Sequence, residues 1–126
     1  MTLSESREDY LENLLILETR SGGFVRQVDM ASRMGFSKAS ISKAMSSLSA
    51  EGYVEFRPRG LVRLSNGGRK IAERVYDRHC FFFKVLTNLG IPTEIAQRGA
   101  CRMEHAMSEE SYQALKKELS SKMDVQ

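Results

Sequence analysis

Val28-Asp29-Met30-Ala31-Ser32-Arg33-Met34, Gly35-Phe36, and Ser37-Lys38-Ala39-Ser40-Ile41-Ser42-Lys43 running on to Ala50 form the stretch on which the fold turns. Val28, Ala31 and Met34 recur at three-residue spacing, which puts them on one face of a short helix. Gly35-Phe36 then turns the chain. Ser37 is placed to cap a second helix from Lys38 to Ala50, with Ile41, Met45 and Leu48 facing inward. Two helices joined by a short glycine-containing turn make a helix-turn-helix.

Towards the C-terminus the period changes from helical to alternating. Tyr53-Val54-Glu55-Phe56 reads as a strand, Arg57-Pro58-Arg59-Gly60 as a turn and Leu61-Val62-Arg63-Leu64 as a returning strand. This two-stranded hairpin behind the second helix is a wing. Upstream, Ser4 or Ser6 can cap a helix with Glu5, Glu8 and Asp9 in its first turn, acids that suit the positive end of the helix dipole. Tyr10, Leu11, Leu14, Leu15 and Leu17 carry its apolar face until Ser21-Gly22-Gly23, and Phe24-Val25-Arg26 is extended. Beyond the wing, Ser65 or Asn66 caps a long helix from about 69 to 89, closed by Gly90 and Pro92. A helix over 93–107 and a last one capped by Ser108 and reaching about 123 complete the chain. The expected fold is mainly α: a winged helix-turn-helix DNA-binding domain over residues 1–68, then an all-helical domain over residues 69–126.

The chain has 126 residues, 41% hydrophobic and 28% charged, a globular composition with room for one domain or two small units. No apolar run approaches the roughly 20 residues of a spanning helix; Cys80 to Phe83 is the densest and Lys84 interrupts it. Residues 1–9 are polar and acidic where a signal peptide is basic and then apolar, so the expected location is the cytoplasm. The two cysteines, Cys80 and Cys101, are too few for a disulfide framework.

Charge is unevenly placed. Residues 1–32 sum to −3, residues 33–70 to +6 and residues 71–126 to zero. A basic block on a winged helix is the footprint of a phosphate-backbone contact. The second helix of such a motif enters the major groove by its N-terminal residues. Here these are Ser37, Lys38, Ala39 and Ser40, followed by Ser42 and Lys43. Small residues let the helix approach, hydroxyls and ammonium groups reach phosphates or base edges, and Arg26, Arg57 and Arg59 fall on phosphates. With no bidentate Arg or Asn in that turn, DNA shape supplies much of the specificity.

Cys101, Glu104 and His105 stand at i, i+3 and i+4, one face of a single helical turn. Asp9 and Glu12 share a face of the first helix, and His79 lies on the long helix. If these helices pack together, thiolate, imidazole and carboxylate meet as transition-metal ligands. Each also has an ordinary reading: a helix-dipole acid, a small buried hydrophobe, a hydrogen-bonded histidine. The chain lacks a His-Glu-x-x-His motif and a nucleophile with a nearby base, so an enzyme is not expected. Cys80 is assigned to the core, and Phe81 to Phe83 to a dimer interface or to packing on the fifth helix.

In the order of these features the chain resembles the diphtheria toxin repressor family of metal-dependent transcriptional regulators, its short, two-domain manganese-transport type in particular. The resemblance runs from Glu8-Asp9-Tyr10-Leu11 to about Ser111. It includes Val28-Asp29-Met30-Ala31, Ser37-Lys38-Ala39-Ser40-Ile41-Ser42, Gly60-Leu61-Val62-Arg63-Leu64-Ser65, Arg78-His79 and Cys101-Arg102-Met103-Glu104-His105. It implies a homodimeric repressor that binds a palindromic DNA operator when loaded with Mn(II) or Fe(II), with metal ligands at Asp9, Glu12, His79, Cys101, Glu104 and His105. Asp9 and Glu12 match the manganese-type pattern and Cys101 the iron-type pattern. The iron type's ancillary site would need an acid at Phe83 and a histidine near Gln97. The remaining alternative is a winged-helix regulator that answers to an organic ligand or to thiol oxidation.

Overall fold

The computed structural model describes residues 3–123. It divides into two compact units, Met1–Arg74 and Val75–Gln126.

In the first unit, α1 (Glu5–Ser21) starts where the Ser4 hydroxyl accepts the Arg7 N–H and stops at left-handed Gly22, whose N–H is donated to the Glu18 carbonyl. The strand β1 (Val25–Arg26) leads into α2 (Gln27–Met34), which Gly35 closes with φ +73°. Ser37 then caps α3 (Lys38–Ala50) by accepting the Ser40 N–H. The helix-turn-helix is therefore present as the spacing predicts. Its inner face differs in one respect: Met30 is fully buried in α2 while Val28 is 40% exposed, because the helix is rotated to set Met30 and Ala31 against Leu11, Leu14, Ile41 and Met45.

The wing is β2 (Val54–Arg57) and β3 (Leu61–Leu64), joined by a single 3-10 turn at Pro58–Gly60. Val54 pairs with Leu64 and Glu55 with Arg63. β1 adds to the free side of β3, Val25 against Val62, so the sheet has three strands in the order β1-β3-β2 where two were expected. A two-residue strand leaves almost no alternation to read, and its pairing partner lies far along the chain.

Glu18 fastens this sheet to α1. Its buried carboxylate accepts the Leu64 N–H at 2.6 Å and pairs with the Arg69 guanidinium. The helix α4 (Asn66–Asn88) begins three residues before the expected start, since the Ser65 hydroxyl accepts the Gly68 N–H at 3.0 Å and thereby caps it. A Cβ built on Gly68 would lie 2.0 Å from the Tyr53 carbonyl oxygen. Gly68→Ala is accordingly expected to cost about 3 kcal/mol, the upper range for forced overpacking. Thermal unfolding beside Gly67→Ala checks this, because the nearest atom to a Cβ there is at 3.8 Å.

In the second unit the later part of α4 packs with α5 (Thr93–Met103) and α6 (Glu109–Lys122). Phe81, Phe82, Val85, Ala100 and Tyr112 form its core, and the Phe81 and Tyr112 rings meet edge to face at 5.8 Å. Phe81 and Phe82 thus pack on α6 as well as α5, and Cys80 is only half-buried. The buried Tyr112 hydroxyl donates to Asp77 at 2.7 Å, and Lys116 donates to the same oxygen at 3.0 Å. Burial alone would raise the Asp77 pKa, but these two hydrogen bonds hold it below the ordinary carboxylate range. α5 stops at Met103, four residues short of the expected end, and Glu104 to Ala106 form a turn.

Candidate metal centre and nucleic-acid interface

The turn that ends α5 presents two of the expected ligands. Glu104 keeps right-handed helical backbone at the C-terminal cap, so the one-face relation of Cys101 and Glu104 survives the end of the helix. Its side chain is fully buried. One carboxylate oxygen lies 2.7 Å from His79 Nδ1 on α4, and the other lies 3.6 Å from His105 Nε2. That second oxygen is buried with no hydrogen-bond donor among the described residues. Leaving a buried carboxylate oxygen without a donor costs on the order of 1–3 kcal/mol, and more for a charged group, so the arrangement calls for positive charge.

His79 answers this in part. The hydrogen bond to Glu104 raises its pKa above the ordinary histidine value, against the opposing effect of burial, and a contact to Gln97 adds to the rise. A buried carboxylate with an imidazole at each of its two oxygens offers the nitrogen and oxygen donor types that a divalent transition metal takes. Cys101 sits half-buried on α5, one turn before Glu104. Asp9 and Glu12 lie in the first unit on α1, three residues apart, Asp9 half-buried and Glu12 only 4% exposed.

Sequence reasoning named Arg78, Phe83 and Gln97 but did not assign them, or Tyr76, the role of holding these ligands in place. Gln97 lies 2.7 Å from His79 Nε2, and Tyr76 and Phe83 flank the imidazole with nearly parallel rings. Arg78 is buried and donates to the main-chain carbonyls of Glu104 and Met107. The i−3 and i+4 spacing of Tyr76 and Phe83 about His79 was the available signal for the ring stack. For Gln97 and Arg78 no local signal exists.

On the DNA-reading side, Ser37, Lys38, Ala39, Ser40, Ser42 and Lys43 are all exposed at the start of α3. The Ser37 hydroxyl is engaged as the helix cap and donates to the Ser40 hydroxyl at 3.0 Å. Arg59 is exposed at the tip of the wing with left-handed backbone, φ +67°. Arg26 is exposed and forms a two-point ion pair with Asp29 on α2. Arg57 and Arg63 each hold a guanidinium 5.9 Å from the exposed Phe24 ring, and Arg63 bonds Glu55 across the strands at 2.8 Å. Arg63 and Phe24 were not singled out in the sequence; cross-strand register puts Arg63 opposite Glu55.

A winged helix with a basic reading face, together with a helical unit that gathers buried imidazole and carboxylate, defines a metal-dependent transcriptional regulator. Comparison with known proteins agrees: residues 2–62 match the N-terminal DNA binding domain of the iron dependent repressors, and residues 65–122 match their metal binding and dimerisation domain. The chain belongs to the iron dependent repressor family. It is 38% identical over 109 residues to the transcriptional regulator MntR of Escherichia coli O6:H1, covering 86% of this chain and 70% of the relative. It is 33% identical over 104 residues to the HTH-type transcriptional regulator MntR of Geobacillus kaustophilus, covering 82% and 72%. The structure of the manganese regulator SloR superposes with a TM-score of 0.76 at 23% identity, over 95% of this chain and 55% of that one. These relatives are transcriptional regulators and not enzymes. Among the described residues no helix is long and apolar enough to cross a membrane.

Proposed function

We propose that the protein is a repressor of metal-ion homeostasis genes that binds a palindromic operator as a homodimer in the cytoplasm when loaded with Mn(II) or Fe(II). The observation that carries this reading is the buried Glu104 carboxylate, placed between two imidazoles with one oxygen lacking any donor among the described residues. His79, Glu104 and His105 supply nitrogen and oxygen ligands, and Asp9, Glu12 and Cys101 are the further ligands proposed. When bound, the ion supplies fixed positive charge and a preferred ligand geometry. Were Asp9 and Glu12 of α1 also to ligate the ion, its occupancy would be felt by the unit that reads DNA, through differential affinity for the binding-competent conformation. Homodimerisation is supported by Leu89 and Ile95, apolar residues that are 71% and 51% exposed in the second unit.

On the operator, Lys38 and Lys43 approach with the start of α3, where Ser37, Ala39, Ser40 and Ser42 leave room for close contact, and Arg26, Arg57 and Arg59 reach phosphates. Half-sites separated by roughly 34 Å on one face of the duplex fit a two-fold pair of reading heads. Operator affinity is expected to rise about 5- to 150-fold with Mn(II) or Fe(II) over chelated protein, the usual span of allosteric coupling. Fluorescence anisotropy with a palindromic duplex measures it, and equal binding by chelated and loaded protein refutes metal activation. Arg59→Ala should weaken binding to all duplexes alike and lower the salt slope by about 1, as the loss of one phosphate contact does.

A further inference from the structure

The His79 ring has aromatic neighbours and a polar partner at each nitrogen within the second unit. Tyr76 and Phe83, three residues before and four after it on α4, lie nearly parallel to it at 12° and 4°, each with a centroid separation of 6.5 Å. The imidazole plane thus nearly shares their orientation. In that plane its two nitrogens meet two oxygens: Nε2 lies 2.7 Å from Gln97 Oε1, and Nδ1 lies 2.7 Å from Glu104 Oε1.

An amide oxygen only accepts, so the Gln97 contact requires a hydrogen on Nε2. A neutral imidazole has a single N–H, and that requirement leaves Nδ1 as a lone pair facing a carboxylate. Two electron-rich atoms 2.7 Å apart repel unless positive charge lies between or beside them, a proton on Nδ1 in the metal-free protein or a cation in its place. Resting on the metal-binding reading above, we infer that Gln97 is the positioning residue that selects the ring nitrogen. By accepting from Nε2–H it leaves His79 Nδ1, beside Glu104 Oε1, as the ligating atom. A ligating histidine held by its other nitrogen is oriented before the ion arrives and is made more basic by its acceptor. Gln97 occupies the exposed side of α5, so its role is separable from the core packing that Ala96 and Ala100 provide.

The test uses the full chain with Mn(II) in calorimetry and Zn(II) in nitrogen-15 NMR of the imidazole side chains. In the Zn(II)-loaded wild type, His79 is expected to show a protonated Nε2 and a metal-shifted Nδ1. Gln97→Leu removes the acceptor and should weaken Mn(II) binding about 10-fold, the lower end for loss of an outer hydrogen-bond partner, with an unchanged thermal midpoint of the metal-free protein. Gln97→Glu keeps an acceptor at the same reach and should restore the affinity. Mn(II) binding undiminished in Gln97→Leu, or a Zn(II)-loaded His79 ligated through Nε2, overturns this assignment while leaving the proposed function standing. A wild type that takes up neither ion overturns both.

Discussion

Glu104→Ala is expected to weaken Mn(II) binding by more than about 100-fold, beyond the loss that follows removal of an outer-shell partner, and to leave operator binding at the level of the chelated wild type. The carboxylate contacts His79 through one oxygen and His105 through the other and is fully buried, so truncation to alanine removes the oxygen donor beside both imidazoles. Removing the acid also removes the acceptor that raises the His79 pKa. The sign of the pH effect follows. In the metal-free protein the His79–Glu104 pair stabilises the fold below the ordinary histidine pKa, and this contribution is lost as the pH rises through the raised value. Metal affinity runs the opposite way, because the ligating nitrogen must lose its proton, so wild-type Mn(II) binding should strengthen as the pH rises through that same value. Calorimetry across pH on the wild type and Glu104→Ala reads both effects. Equal affinity in the two proteins removes Glu104 from the site.

Arg78→Met should strongly destabilise the second unit. The turn after α5 leaves main-chain carbonyls without helical partners, and the Arg78 guanidinium donates to two of them, Glu104 O at 3.2 Å and Met107 O at 2.5 Å. The same group bonds Glu109 at 3.0 Å and lies 4.9 Å from the Tyr112 ring centroid. Methionine fills much of the volume yet leaves those two carbonyls without that donor, at a cost of about 1–3 kcal/mol each. The thermal midpoint of the metal-free protein should fall by about 10 °C or more. Because Arg78 fixes the main chain of Glu104 itself, Mn(II) affinity should fall too. Arg78→Lys keeps the charge but lacks the planar fork that reaches both carbonyls, and should recover only part of either loss. A midpoint within a degree of the wild type removes Arg78 from this role.

Most of the architecture could be read from the chain because its determinants are local. Ser4, Ser37 and Ser108 each cap a helix, Gly22 and Gly35 each end one, and Ile41, Met45 and Leu48 mark the buried face of α3, all within a turn or two of the features they specify. Errors occurred where a local rule met a distant partner. β1 depends on pairing with Val62 and Leu61, and Met30 displaced Val28 from the core through packing on α1 and α3. α5 ends at Met103 where the spacing predicts Met107, and in the turn that follows the carbonyls of Glu104 and Met107 accept from Arg78 of another helix, a partner no local pattern reveals.

By itself the sequence determined a helix-turn-helix with a basic wing, a helical second unit, and the residue types able to bind a cation. Helical and strand periods repeat within a few residues, and side-chain chemistry belongs to each residue alone. Only the tertiary structure decided that His79 turns Nδ1 towards Glu104 and Nε2 towards Gln97, that Arg78 pins the turn carrying Glu104 and His105, and that Glu18 anchors the wing. These contacts join residues 18 to 46 positions apart, and no short period in a chain encodes which side chains of separate helices come to face each other. That choice is made when apolar faces close over a common core, and the polar groups carried with them must then find their partners at once.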